Sequence, residues 1–146
     1  MSGEREAVPC TLVIFGATGD LTRRKLVPAL YNIARDRLLP PGFSVVGFAR
    51  RGWTDQMFRE EMLAGVNEFS RSRPVASEIW DDFARGLFFA QGEFGDPAAY
   101  ANLAATLKRV DAERGTRGNH LFYLATPPDH YPEIIRELGR AGLAGS

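Results

Sequence analysis

The segment from Leu12 to Gly19 constrains the fold more than any other part of the sequence. Four consecutive apolar residues, Leu12 to Phe15, run directly into the loop Gly16-Ala17-Thr18-Gly19, and apolar residues at helical spacing follow. A continuous apolar run of this kind is typical of a strand buried on both faces, as in a parallel sheet covered by helices. We therefore expect a β-strand, a glycine-bearing turn and a helix in immediate succession.

The alternation of strand and helix patterns continues along the chain. Further apolar runs predict strands at Ser44–Ala49, Leu87–Ala90 and His120–Ala125. This alternation predicts a parallel sheet with helices on both faces, which is a doubly wound, Rossmann-like α/β fold with the first strand in the centre. A complete dinucleotide-binding fold has about six strands. Residues 1–146 are therefore expected to form one domain of about four strands that lacks the C-terminal strands of the full fold.

Capping residues and prolines predict the helix boundaries. Thr54, Ser77 and Asp96 stand where N-caps are expected, and Ser70–Pro74 is a polar break. Because Pro28 is tolerated in a first turn, the first regular helix is expected to begin only near Lys25. The residues predicted to form the core faces of the first and last helices are Leu26, Leu30, Ile33, Leu38, Ile134, Ile135 and Leu138.

Composition and charge exclude several classes of protein. Lys plus Arg and Asp plus Glu both total 18, so no bulk positive field attracts nucleic acid or an anionic membrane. No apolar run is long enough to cross a bilayer, and Met1–Glu6 lacks the apolar core of a signal peptide. Cys10 has no internal disulfide partner, and His120 and His130 are too few for a zinc site without unusual partners. We expect a cytoplasmic domain without a metal.

The loop from Gly16 to Leu21 has the features of a phosphate-binding turn. Glycine permits a tight turn and lets the backbone approach a pyrophosphate without an intervening Cβ. Backbone N–H groups and the positive end of the helix dipole then face the phosphates. The spacing is GxxGxL rather than GxGxxG, so a plain strand-to-helix turn is the alternative.

Charged residues near this loop have simpler interpretations as well. Asp20 is most simply a helix cap, and Arg23-Arg24-Lys25 is most simply a solvated helix face, although one of its members could reach an anion.

The end of the second strand carries the signal for the choice of cofactor. An acidic residue there binds the ribose 2′-hydroxyl of NAD, whereas arginine accommodates the 2′-phosphate of NADP. This chain has Arg50 and Arg51 and no acid at that point, which favours NADP. Two solvated arginines at a strand end are the alternative.

Three ordered blocks resemble the glucose-6-phosphate dehydrogenase family. They are Phe15–Leu30, Val46–Arg51 and His120–Pro128, and together they span nearly the whole chain. The resemblance implies an NADP-dependent oxidoreductase that oxidises glucose 6-phosphate at C1, with a histidine that is oriented by an aspartate as the base. It implies a place in glucose metabolism, in the pentose phosphate pathway.

The resemblance also implies roles for individual residues. Gly16, Ala17, Thr18, Gly19, Asp20 and Leu21 would form the diphosphate loop of the NADP site. Arg50 would hold the 2′-phosphate, and Glu93 and Phe94 would lie on the adenosine side. Tyr131 would lie near the nicotinamide, and Lys25 near both the cofactor and the sugar phosphate.

Two segments of the family are absent from this sequence: EKPFG and the histidine-bearing RxDHYLGKE. The chain is therefore expected to be the cofactor domain alone, with no catalytic residue and no activity by itself. We interpret His130 as a surface or pocket-edge residue rather than the base, and His120 as structural.

Two other outcomes are considered from the sequence. A non-dehydrogenase NADP-binding module of the extended short-chain type, such as a redox-sensing regulator, shares Phe15–Gly19 but usually has glycine where this chain has Thr22.

The apolar fourth strand, Leu121–Leu124, is expected at a sheet edge, where it would favour self-association.

Overall fold

A four-stranded parallel sheet forms the centre of the fold. The computed structural model describes residues 9–69 and 75–143, so the predicted polar break at Ser70–Pro74 and the Met1–Glu6 segment lie outside the described residues. The strand order is β3-β2-β1-β4, as expected for a doubly wound fold. The strands are β1 Thr11–Phe15, β2 Ser44–Ala49, β3 Leu87–Gln91 and β4 His120–Leu124.

Within the described residues, five α-helices cover the sheet, and two short helical turns precede the first and the last of them. A π-helical turn leads into α1 and a 3-10 turn leads into α5. The bounds are π turn Thr22–Leu26, α1 Val27–Arg35, α2 Asp55–Phe69, α3 Ser77–Ala84, α4 Pro97–Arg114, 3-10 turn Pro128–His130 and α5 Tyr131–Arg140.

Two hydrophobic cores lie on opposite faces of the sheet. Alternate residues of β1 enter different cores: Ile14 packs with α1, α2 and α3, whereas Val13 and Phe15 pack with α4 and α5. All three side chains are fully buried, as are Val45 and Val46 of β2. The sequence shows these strands as continuous apolar runs because both of their faces are covered.

The first helix begins earlier and less regularly than predicted from Pro28. Helical residues start at Asp20, and the turn at Thr22–Leu26 is a π turn in which the Val27 N–H donates to the Thr22 carbonyl. Pro28 has no N–H to donate to the Arg24 carbonyl, and its ring would collide with that carbonyl in a regular α-helix. The wider turn resolves this conflict, so the helix continues through a proline that was expected to delay it.

Several predictions on helix faces and caps need correction. Ile33, Leu38 and Ile135 are exposed rather than in the core, and Val27, Pro28 and Tyr31 are the buried residues of α1. The cap position of α3 is Ala76, so Ser77 is its first residue and not its cap. Asp20 is likewise inside the first turn rather than at the cap position.

The other two predicted caps are confirmed. The Met57 N–H donates to Thr54 Oγ1 over 3.1 Å, and the Ala98 N–H donates to Asp96 Oδ1 over 3.0 Å. Pro97 follows Asp96 at the start of α4, where its missing N–H costs nothing. These caps fix where the chain turns after β2 and β3, and therefore where the loops at that end of the sheet lie.

Strand β4 lies at one edge of the described sheet. It pairs with β1, in register from Thr11 opposite His120 to Phe15 opposite Leu124. Phe122 and Leu124 pack against the core under α4 and α5, whereas Leu121 and Tyr123 point to the other face and are 58% and 39% exposed. One face of this edge strand is therefore apolar and uncovered by the described residues.

Candidate cofactor site

A cleft opens where the carboxyl ends of the strands meet. Its volume is about 720 Å³, which is within the usual range for sites that bind small molecules. It lies at the point where the chain runs to β2 and β3 on one side of β1 and to β4 on the other, which is where open α/β sheets bind ligands. The predicted site residues that line it are Gly16, Thr18, Gly19, Arg50, Glu93 and Phe94.

Gly16 is required by the fold itself. Its φ angle is +84°, and a Cβ at this position would lie 2.8 Å from both the Ala125 carbonyl oxygen and Thr126 Cγ2. The Gly16 N–H donates to the Phe48 carbonyl at 2.9 Å, which ties the loop to β2. Glycine here lets the loop pass directly beneath the segment after β4.

Gly19 is different, because little in the protein requires its lack of a side chain. It is exposed and its φ is not positive, and a Cβ would meet only the Gly16 carbonyl oxygen, at 3.3 Å. The helical residues begin directly after it, at Asp20, and the first N–H groups of a helix have no acceptor within the helix. An anion can therefore reach these donors across the bare Gly19 backbone.

Two arginines follow β2 at the rim of the cleft. Arg50 and Arg51 are both exposed, and neither guanidinium pairs with a carboxylate in 9–69 or 75–143. Their backbone is held in place because Gln91 Nε2 donates to the Arg50 carbonyl at 3.1 Å. Two guanidinium groups in one cleft can donate paired hydrogen bonds to the oxygens of a phosphate.

Phe94 and Glu93 form the opposite wall. The Phe94 ring lies 6.1 Å from that of Phe15 and 5.9 Å from that of Phe48, so it joins the core to the cleft. The Tyr100 hydroxyl donates to the Phe94 carbonyl at 2.7 Å, and burial, reinforced by nearby carboxylates, raises the pKa of Tyr100 far above its ordinary value. The hydroxyl therefore remains a donor, and the wall is held rigidly.

The remaining predicted site residues do not line this cleft. Ala17 is fully buried and packs against Gly47, so only its backbone is available to a ligand. Asp20 and Leu21 are exposed beyond the loop. The Tyr131 hydroxyl donates to the Leu124 carbonyl at 3.4 Å, which places that side chain at the end of β4.

The three basic residues after the loop, Arg23-Arg24-Lys25, differ in their contacts. Arg23 pairs with Glu68 at 3.2 Å, and both Arg23 and Arg24 lie over the Phe69 ring. The end of α2 therefore holds both arginines. Lys25 is exposed and pairs with no carboxylate among the described residues, which makes it the member best able to reach an anion.

Further residues line the cleft besides the predicted site residues. The sequence had already indicated Arg51 as part of the cofactor signal and His130 as a surface or pocket-edge residue, whereas the others were not expected there. All of them lie at the end of β2 or in the segments that follow β2, β3 and β4, near the switch point of the sheet. His130 lies at the edge of the cleft as interpreted, and His120 lies at the opposite end of the sheet, bonded to Asp111. The additional residues are Ala49, Arg51, Gly95, Asp96, Ala125, Thr126, Pro127, His130 and Glu133.

Residues 9–69 and 75–143 contain no group of three or more His, Cys, Asp or Glu side chains that could hold a metal ion. No helix in these ranges has the length and the apolar character needed to traverse a bilayer.

Comparison with known proteins identifies the family. The model of the glucose-6-phosphate dehydrogenase NAD binding domain matches residues 13–146. The chain belongs to the glucose-6-phosphate dehydrogenase family. This confirms the family and the nicotinamide-cofactor domain that the three sequence blocks indicated, with NADP as the family's cofactor, and it gives no support to the extended short-chain alternative.

Related proteins of the glucose-6-phosphate dehydrogenase family cover nearly all of this chain. Glucose-6-phosphate 1-dehydrogenase 2 of Mycobacterium tuberculosis (strain H37Rv) is 51% identical over 140 residues, which is 96% of the chain and 27% of that protein. Glucose-6-phosphate 1-dehydrogenase of Chlamydia muridarum is 48% identical over 135 residues, which is 92% of the chain and 27% of that protein. The chain thus spans about a quarter of the length of these relatives.

Solved glucose-6-phosphate dehydrogenase structures share the fold. One, in complex with glucose 6-phosphate, has a TM-score of 0.81 and 25% sequence identity over 96% of the chain and 29% of its own. The Mycobacterium avium enzyme has a TM-score of 0.79 and 26% identity over 93% of the chain and 28% of its own. The Rossmann-like fold predicted from the sequence is confirmed.

Proposed function

We propose that this chain is the NADP-binding domain of an enzyme that oxidises glucose 6-phosphate to its lactone. The observation that carries the proposal is that the guanidinium groups of Arg50 and Arg51, which pair with no carboxylate in the described ranges, share a cleft with the bare backbone of Gly19. NADP carries a diphosphate, which the bare backbone can bind, and an additional 2′-phosphate, which the guanidinium groups can bind. Bound NADP would supply the hydride acceptor, and the residues of this chain would bind and orient it.

The roles proposed for individual residues are those that the family resemblance implies, and the lining of the cleft supports several of them. The backbone of Gly16–Leu21 holds the diphosphate at the start of the helix, and Arg50 holds the 2′-phosphate, with Arg51 beside it. Glu93 and Phe94 form the wall on the adenosine side. Tyr131 lies towards the nicotinamide side, and Lys25 is available to the phosphate of the sugar.

The base that removes the hydroxyl proton of the sugar is proposed to lie outside residues 1–146. The motif segments that carry it in the family are absent from this sequence. His130 is bonded to Glu133 at the cofactor cleft, which suits a cofactor contact. The cytoplasmic location remains a prediction.

The affinities for NADP and NAD test the proposal. We expect calorimetry to show that NADP binds more tightly than NAD, and Arg50→Ala to reduce the difference by about 1.5–3 kcal/mol, the value of a charge-assisted contact. Arg85→Ala is the matched control, because Arg85 is exposed just after α3, near the end of β3 that lies away from the cleft, and pairs only with Asp82 among the described residues. Equal affinities of the unmodified chain for the two cofactors would contradict the proposal.

A further inference from the structure

The cofactor cleft has an electrostatic imbalance that its proposed function does not explain. Its ionisable lining residues are Arg50, Arg51, Glu93, Asp96, His130 and Glu133. With a neutral histidine, two positive charges face three carboxylates. A dinucleotide adds at least two negative charges to this space, so some carboxylate in the cleft must be screened or neutralised when it binds.

His130 is placed to neutralise one of these carboxylates. Its Nδ1 lies 3.2 Å from Glu133 Oε2, and its ring meets the Phe94 ring edge-on at 5.4 Å between centroids. Glu133 also lies close to the segment after β3, since its Oε1 is 2.7 Å from where a Cβ on Gly95 would be. The imidazole and the carboxylate therefore lie against each other at the wall of the cleft, and the His130 side chain is 44% exposed to solvent.

We propose that His130 is a cofactor-binding residue that takes up a proton as the dinucleotide enters the cleft. The proton comes from the buffer and resides on the imidazole ring, and no covalent bond to the cofactor forms or breaks. The resulting imidazolium cancels the charge of Glu133 and offers a positive group to the diphosphate. This inference rests on the proposed function, since it requires a dinucleotide in this cleft.

Several charged groups compete around the ring. Glu133 from α5 favours the imidazolium, as do Glu93 and Asp96 from the segment after β3, and Asp129 precedes His130 in the same 3-10 turn. Arg50 and Arg51 from the end of β2 oppose it. When the phosphates of the cofactor pair with these two arginines, the arginines no longer disfavour a positive charge on His130. The carboxylates that favour this charge remain. Proton uptake is therefore coupled to binding.

The test is calorimetry of cofactor binding between pH 5.5 and 8, in buffers of different ionisation enthalpy. NAD is the decisive ligand, because the 2′-phosphate of NADP itself titrates near pH 6 and shifts affinity in the opposite direction. We expect the affinity for NAD to increase about three- to tenfold as the pH falls through the range in which histidines ordinarily titrate. We also expect net proton uptake, and His130→Gln should abolish both effects.

His120→Gln is the matched control. His120 is bonded to Asp111 at the same distance of 3.2 Å, but at the far end of the sheet, so this variant should keep the full pH dependence. Glu133→Gln provides a second variant, in which the pH dependence should shrink because the partner charge is gone.

The possible outcomes separate the two proposals. If NAD binds without proton uptake, or if His130→Gln keeps the pH dependence of the unmodified chain, the inference is overturned and the cofactor site stands. An unchanged pH dependence in Glu133→Gln also contradicts the role of the pair. If neither NAD nor NADP binds, both the inference and the proposed function fail.

Discussion

At the scale of single residues, the two glycines of the loop after β1 are subject to different constraints. Gly16 has a positive φ and lies against the backbone of Ala125, so the folded chain excludes any side chain there. Gly19 is exposed at the floor of the cleft and has room for a Cβ apart from one contact. The first glycine is a requirement of folding, and we attribute the second to the ligand.

This difference predicts opposite effects of two alanine substitutions. Gly16→Ala should lower the free energy of unfolding by about 1–3 kcal/mol through backbone strain alone. The collision of the added Cβ with Ala125 should lower it further. Gly19→Ala should keep the free energy of unfolding within about 0.5 kcal/mol of the unmodified chain but weaken NADP binding roughly tenfold or more. Urea unfolding and calorimetry measure the two quantities, and a Gly19→Ala variant that binds NADP normally would contradict this account.

Sequence reasoning identified some residues of the cleft and missed others for a physical reason. Gly16, Gly19 and Arg50 were found because their chemistry is local: each follows a recognisable strand. Glu133 was missed, because it enters the cleft only where the chain turns through a short helical segment after β4. Spacing along the sequence does not show which side of that turn faces the loop after β1.

At the scale of elements, β4 is the least protected part of the sheet. Its pairing with β1 uses one edge, and within residues 9–69 and 75–143 no strand pairs with the other. The described residues that follow Gly139 turn back onto the helix, since the Leu143 N–H donates to the Leu138 carbonyl. The free edge therefore keeps a row of unpaired backbone groups that another chain can use.

We expect the isolated chain to self-associate through this edge, and Tyr123→Lys to reduce the association. Tyr123 is the outward-facing choice, because Phe122 packs into the core. Ile135→Lys is the control: Ile135 is 60% exposed on α5, so it removes more apolar surface without altering the edge. Light scattering across a wide concentration range measures the effect, and a monomer throughout, or an equal effect of both variants, would count against edge pairing.

The boundary of α1 shows where element prediction failed. The residues around Pro28 allow a late α-helix or an early helix with a wider turn, and local propensity does not choose between them. The choice follows from tertiary packing: a Cβ on Gly65 of α2 would lie 2.7 Å from the Arg23 carbonyl oxygen, so α2 fits closely against the π turn. The strands were easier to predict because burial on both faces leaves a continuous apolar signal in the sequence.

At the scale of the whole molecule, binding and chemistry are predicted to be separable. Hydride transfer needs a base within hydrogen-bond reach of the sugar hydroxyl, and the family's histidine segment is absent from this sequence. The purified chain with glucose 6-phosphate and NADP should therefore give no NADPH absorbance above background, although it binds NADP. Turnover that disappears in His130→Gln would show instead that His130 acts as a base.

The arrangement of the sheet also has a consequence for the time course of folding. The central strand β1 precedes its partner β4 by more than a hundred residues, with Thr11 opposite His120. Until His120–Leu124 has left the ribosome, one side of Leu12–Phe15 has no strand to pair with. Contacts this distant in sequence form slowly, because the entropy cost of closing a long loop comes before any stabilising contact is made. During that interval the apolar residues Leu12–Phe15 have one unpaired side, and we expect chaperones that hold extended apolar segments to bind the nascent chain there.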